Sequence, residues 1–152
     1  MRVYNFSAGP STLPLNVLEQ AQREFLDFAG TGMSVTEISH RDKAFSAIVE
    51  EAESLVRELL GVPEDYAVIF VQGGASTQFA AVPLNMMHGG KADYIVTGNF
   101  AKKAWQEGCI YGDAVKIGDS SDKTYTYIPD VDKLAYSEDA DYVHITSNNT
   151  IF

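Results

Sequence analysis

The sequence predicts an α/β fold, a mostly parallel sheet with flanking helices, and three observations predict it. Segments with three-four spacing of apolar residues alternate with short apolar runs of strand length. The run Tyr66-Ala67-Val68-Ile69-Phe70-Val71 is apolar throughout, as suits a parallel strand covered on both faces. Gly and Pro punctuate the chain at short intervals, and no internal repeat or low-complexity stretch interrupts the alternation.

Each element has its own signal. After an extended arm ending at Gly9-Pro10, Pro14 suits a helix's first turn, and Leu15, Leu18, Ala21, Phe25 and Phe28 share one face before Gly30 and Gly32 stop the helix. A second, longer helix is marked by Phe45, Ile48, Val49, Ala52, Leu55, Val56, Leu59 and Leu60, with Gly61 as its stop and Pro63 beyond. The apolar strand at 66–71 then runs into Gln72-Gly73-Gly74-Ala75-Ser76-Thr77, and Gln78 to Val82 reads as helix, kinked or ended early by Pro83. Further strands are expected at Tyr94-Ile95-Val96, Ala114-Val115-Lys116-Ile117 and Tyr142-Val143-His144-Ile145. Helices are expected over Phe100 to Glu107 and Asp130 to Tyr136. Parallel crossovers of this kind are right-handed by default.

Composition narrows the function classes. The chain has 152 residues, with 11 Lys and Arg against 21 Asp and Glu, for a net charge of −10. A chain of this length buries roughly 70% of its unfolded surface and needs no disulfide staples. Its one cysteine, Cys109, is expected to be a small semi-buried hydrophobe and fits a reducing, cytoplasmic compartment. The acidic balance disfavours nucleic acid as a partner. No apolar run reaches the roughly 18 residues of a membrane span, and the opening Met1-Arg2-Val3-Tyr4-Asn5 has no secretory apolar region, so no membrane association is expected.

The strand, Gly73-Gly74-Ala75-Ser76-Thr77 and the following helix together make a recipe for an anion site. The glycines allow close backbone approach, the free amides of a helix start point outward, and Ser76 and Thr77 add hydroxyl donors. It is neither the dinucleotide fingerprint nor the triphosphate loop, since no Lys follows the glycines. A plain strand-to-helix turn with a Ser cap explains the local pattern equally well. His40-Arg41 can grip a carboxylate or phosphate, or can be a solvated capping pair. Phe100 can pack in the core or stack on a flat ligand. His88 and His144 lack partners at metal-ligand spacing and are expected to be structural. Asp122-Lys123, Asp130, Asp132, Glu138 and Asp139 read as a solvated face.

Four ordered stretches carry a resemblance: 5–10 (Asn-Phe-Ser-Ala-Gly-Pro), 34–41 (Ser-Val-Thr-Glu-Ile-Ser-His-Arg), 72–85 from Gln72 to Asn85, and 92–100 from Ala92 to Phe100. Together they resemble the phosphoserine aminotransferases, fold-type-I enzymes of the class V aminotransferase family that use pyridoxal 5′-phosphate. The resemblance covers essentially the whole chain. It implies that residues 1–152 form the amino-terminal arm and the first part of the large, cofactor-binding domain, with the rest of that domain and a small domain lying beyond Phe152. It implies that Ala75 and Ser76 hold the cofactor phosphate, that Phe100 stacks on the pyridine ring where the family often has Trp, and that Thr150 touches the cofactor. It implies that Arg41, with His40, reads the extra anionic group of phosphoserine and glutamate.

By the same resemblance the activity is amino transfer between phosphoserine and 2-oxoglutarate in serine, and also pyridoxine, biosynthesis, by a homodimer whose subunits complete each other's sites. No catalytic residue is expected in this chain: the Schiff-base lysine and the aspartate at the ring nitrogen fall beyond Phe152 in the family. None of Lys43, Lys91, Lys102, Lys103, Lys116, Lys123 or Lys133 sits in the family's lysine motif, so the 152 residues alone are expected to be inactive. Three departures stand out. Ser76 replaces an Arg found in some relatives, Ala8 replaces a Ser, and Asn148-Asn149-Thr150 has Asn where many have Glu. Two other readings remain: a non-catalytic phosphate-binding module, and another class V aminotransferase or desulfurase with different substrates.

Overall fold

The computed structural model of the chain describes residues 2–150. It divides into two compact units, Met1–Phe70 and Val71–Phe152.

In the first unit the arm is folded back on itself, with the Arg2 guanidinium donating to the Leu13 carbonyl at 2.8 Å and the Thr12 hydroxyl to the Asn5 carbonyl at 2.7 Å. Helix α1, Leu15–Glu24, stops four residues short of the expected Phe28. The chain prefers a closed loop there: Asp27 accepts from the Gly32 amide at 2.7 Å, and the Phe28 amide donates to Met33 at 2.9 Å rather than back into a helix. Helix α2, Lys43–Leu60, follows its sequence signal closely. Asp42 caps its start by accepting from the Ala44 amide at 2.8 Å, and Gly61, left-handed at φ 62°, ends it. Arg57 on α2 bridges to Glu53 at 2.7 Å and donates to the carbonyls of Pro63 and Tyr66, tying the following turn to the helix.

The expected strand at 66–71 does not form. Val68, Ile69 and Phe70 instead line an apolar groove with Phe45, Ile48, Val49 and Ala52 of α2. Ile69 and Phe70 remain 74% and 59% exposed. A strand exists only through its hydrogen-bonded neighbours, and among the described residues no ladder includes 66–71. Its composition has β character, but pairing is not a local property.

The second unit holds a sheet. Helix α3, Gly74–Met86, is followed by β1, Lys91–Val96, helix α4, Asn99–Tyr111, and β2, Asp113–Asp119. Strand β3, Val143–Ile145, comes after a long irregular stretch. The strands run parallel in the order β2-β1-β3, with β1 in the centre. Two local expectations are corrected here, an early end of the helix at Pro83 and a helix over 130–136. Pro83 lies inside α3, which continues to Met86, and it is the helix's buried residue. Packing of α3 on α4 offsets the one backbone hydrogen bond that proline deletes. The segment 130–136 is only a 3₁₀ turn at Val131–Lys133, since its few apolar residues do not build a helical face.

Central position explains burial. Ala92, Tyr94 and Val96 of β1 form the core with Ala101 and Ala104 of α4, against Phe79, Met87, Trp105 and Tyr142. Each large side chain so buried contributes roughly 1.5–3 kcal/mol. At Gly108 the α4 backbone passes over the Tyr94 side chain, since a Cβ there would lie 2.3 Å from the Tyr94 hydroxyl oxygen. The Trp105 indole donates to the Ala114 carbonyl at 2.8 Å, and Lys116 stands over its ring. On the other side of β1, the fully buried Asp93 accepts from the Ser137 amide at 2.7 Å and its hydroxyl at 2.9 Å, pinning the irregular stretch to the sheet. Asp141 adds a second anchor by accepting from the Gly89 and Gly90 amides.

His144 is structural, as expected. It stacks on Tyr94 with ring centroids 5.0 Å apart, meets Phe79 of α3 edge-on, and pairs with the Thr146 hydroxyl at 3.2 Å. Burial holds its imidazole below the ordinary pKa of 6.5. The unfolded chain therefore takes up a proton that the folded chain resists, and stability present above pH 6.5 is lost as the pH falls below it. We expect unfolding free energy to fall between pH 7 and pH 5 by more in the wild type than in His144→Phe, as read by denaturant titration.

Cys109, by contrast, is exposed rather than semi-buried, on the outer face of α4. The solvated face is real: Asp139 pairs with Lys91 at 2.8 Å and Asp130 with Lys133 at 2.6 Å, all at or near the surface. Among the described residues no helix is long and apolar enough to cross a membrane.

Candidate functional site

Helix α3 opens on glycine, and that decides the chemistry of its end. Gly73 stands at the N-cap with φ 95° and brings no side chain to cap the helix, and among the described residues no side chain accepts from its first amides. A Ser cap, the plain alternative for this loop, is therefore not what forms. Thr77, itself exposed, donates its hydroxyl back to the Gly73 carbonyl at 3.0 Å. Ala75 and Ser76 remain exposed, with no acidic residue in the first turn. Uncapped amides at the positive end of a helix, beside a serine hydroxyl, form a donor set suited to an anion.

The neighbouring helix sets one cation and one carboxylate beside Ser76. Ser76 and Phe79 share a cleft of about 280 Å³ with Lys103, Gln106, Glu107 and Ile110 of α4. Lys103 also reaches over the Phe100 ring, 5.4 Å from its centroid. Phe100 is half-buried in the first turn of α4, so it combines packing with a partly open ring.

Thr150 enters through its neighbour. Asn149 accepts at Oδ1 from the Ala101 amide at 3.1 Å, and its Nδ2 donates to the Thr97 hydroxyl and to the Thr146 carbonyl, each at 3.2 Å. The end of β1, the start of α4 and the chain after β3 thus meet at one amide group, with Phe100 and Thr150 each one residue from a bonded atom. All lie at the carboxyl ends of parallel strands, where open α/β sheets bind ligands.

In the first unit, His40 and Arg41 sit in an exposed turn before α2. The capping role open to them falls to Asp42, and the Arg41 amide donates to the Ser39 hydroxyl at 3.3 Å. Among the described residues the Arg41 guanidinium has no ion-pair partner, so its planar fork of donors faces solvent. No group of His, Cys, Asp and Glu among the described residues could hold a metal ion.

Sequence reasoning did not find Lys103 or Asn149. Lys103 carries no motif, only its place one turn after Phe100. Asn149 had an indirect signal: a helix with Gly98 at its N-cap has no capping side chain of its own, so its cap had to come from elsewhere.

The family model "Aminotransferase class-V" matches residues 3–152. Phosphoserine aminotransferase of Halalkalibacterium halodurans is 53% identical over 152 residues, which cover 99% of this chain and 42% of that protein. The solved structure of phosphoserine aminotransferase from Bacillus circulans subsp. alkalophilus superposes with a TM-score of 0.90 at 45% identity, over 97% of this chain and 41% of that one. A structure described as PLP-bound phosphoserine aminotransferase from Trichomonas vaginalis gives 0.85 at 39% identity, over 93% and 40%. The chain spans about 42% of the length of the curated relatives it matches. It belongs to the class-V aminotransferase family.

Proposed function

We propose that residues 1–152 supply the arm and the first part of the cofactor-binding domain of a phosphoserine aminotransferase, which uses pyridoxal 5′-phosphate to move an amino group between phosphoserine and 2-oxoglutarate. The observation that carries this reading is the uncapped start of α3 at Gly73, in a chain of this family. Its donor set fits the cofactor's phosphate: backbone N–H groups, a hydroxyl and a helix dipole, with no carboxylate in the first turn to repel a dianion. When bound, the cofactor supplies an electron sink for the substrate's α-carbon.

This chain's own residues bind and orient. Ala75 and Ser76 hold the phosphate through their amides and the Ser76 hydroxyl. Phe100 offers its ring for stacking over a smaller area than an indole would. Thr150 offers a hydroxyl. Arg41, with His40 beside it, reads the distal anionic group that phosphoserine and glutamate share. With Ser76 in place of an arginine, the loop relies on neutral donors; Lys103 is the nearby cation, with the Glu107 carboxylate in the same cleft. The lysine that carries the cofactor is sought outside residues 1–152.

The same reading makes the whole protein a cytoplasmic enzyme of serine biosynthesis, with pyridoxine synthesis as a further use, and a homodimer. The exposed Val3, Tyr4 and Phe6 of the arm, 81–94% accessible, support association through this end of the chain.

Glutamate formation from phosphoserine and 2-oxoglutarate by the full-length protein tests the reading. Transfer from a different amino donor alone would point to another class V enzyme, and binding of phosphate compounds without transfer to a non-catalytic module. In the active protein, Arg41→Ala is expected to raise KM for phosphoserine by about 10- to 100-fold, the loss of a charge-assisted contact. An unchanged KM removes Arg41 from the substrate site.

A further inference from the structure

We infer that Asn149 is a positioning residue that fixes Phe100 and Thr150 relative to each other for cofactor binding. The inference rests on the reading above, in which those two residues touch the cofactor. The N-cap of helix α4 is Gly98, which has no side chain to cap it. The third amide of the helix, Ala101 N–H, is satisfied instead by Asn149 Oδ1 at 3.1 Å, from 48 residues away. The other half of the same amide is also used, with Nδ2 donating to Thr97 Oγ1 and to the Thr146 carbonyl. One planar group thereby sets three points: where β1 ends, where α4 begins, and where the chain leaves β3.

Gly98 is part of the same device. Its φ of 167° is extended backbone that any residue adopts, so conformation does not demand glycine. Space does: a Cβ at 98 would lie 2.4 Å from Asn149 Cγ and 2.5 Å from Oδ1. The missing side chain makes room for the distant cap. Phe100 precedes the bonded Ala101 and Thr150 follows Asn149, so a ring for stacking and a hydroxyl contact share one frame. Contacts of both kinds depend on geometry held to a fraction of an ångström.

The test uses the full-length protein as wild type, Asn149→Ala, Asn149→Asp and Gly98→Ala, titrated with pyridoxal 5′-phosphate. Two readouts are taken: the dissociation constant, and the circular dichroism band of the cofactor at saturation. Far-UV circular dichroism selects the folded variants. Asn149→Ala removes all three hydrogen bonds, and Gly98→Ala displaces the amide without altering it. Asn149→Asp keeps the acceptor, with a charge that suits a helix start, and loses the two donors.

Asn149→Ala and Gly98→Ala are expected to weaken cofactor binding about five- to tenfold, the equivalent of a lost cap, with Asn149→Asp weakened less. All three are expected to show an altered band at saturation, because ring and hydroxyl no longer share one geometry. A wild-type band at saturation in the folded variants, whatever their melting temperatures, overturns the positioning role and leaves the cofactor reading intact. Wild-type protein that binds no cofactor overturns both.

Discussion

Gly73→Ala is expected to weaken binding of pyridoxal 5′-phosphate by the full-length protein about 10- to 100-fold, through backbone strain and a clash at the loop. Gly73 holds φ 95°, which L-residues seldom adopt, and a Cβ there would stand 2.3 Å from Thr77 Oγ1 and 2.7 Å from Thr77 Cβ. Relief requires the first turn of α3 to move. That breaks the Thr77 bond to the Gly73 carbonyl and turns the Ala75 and Ser76 amides away from a common focus. Gly74 gives the internal control. It too has positive φ, 62°, but a Cβ there meets nothing within 4 Å. Gly74→Ala therefore carries strain without the clash and is expected to bind more tightly than Gly73→Ala. Equal affinities for the two variants, measured by equilibrium dialysis, would contradict this account of the loop.

Asp93→Ala is expected to be the most destabilising single change in the second unit, costing about 3 kcal/mol. Asp93 is fully buried in the central strand, and both carboxylate oxygens are used, one by the Ser137 amide and one by its hydroxyl. Removing it leaves a cavity and strips two hydrogen bonds to a charged acceptor, while the Ser137 amide loses its partner. The segment between β2 and β3 is irregular over most of its length, so this contact is one of few that hold it. Ser137→Ala removes one bond and keeps the other, and is expected to cost less than half as much. Denaturant unfolding of the two variants measures the difference. A near-neutral Asp93→Ala would mean that the segment is held elsewhere.

Legibility in the sequence followed the range of the interaction that decides each element. Helix α2 was readable because its face, its Asp42 cap and its Gly61 stop are all local. The three parallel strands were readable from short apolar runs. The 66–71 run had the same signal and failed, because strand formation depends on a neighbour that no local pattern contains. Pro83 misled in the opposite direction, since tertiary packing carried α3 past a residue that would end an isolated helix.

The site divides in the same way. By composition the glycine loop allowed an anion cradle or a plain Ser-capped turn equally, and only the structure shows that among the described residues no side chain caps it. Asp93 carried a faint signal as the single acid amid the apolar run Ala92 to Val96, and Asn149 carried less. Contacts spanning 44 to 52 residues bind them into place, and such pairings are set by topology.

If the start of α3 holds the cofactor's phosphate as a dianion, phosphorus NMR of the full-length protein with pyridoxal 5′-phosphate will show it. A free phosphate monoester titrates with a second pKa of about 6. The bound resonance is expected to keep a constant chemical shift from pH 8 down through that range, and to be lost in Gly73→Ala. A bound resonance that titrates like the free compound, or one that Gly73→Ala leaves unchanged, would contradict it.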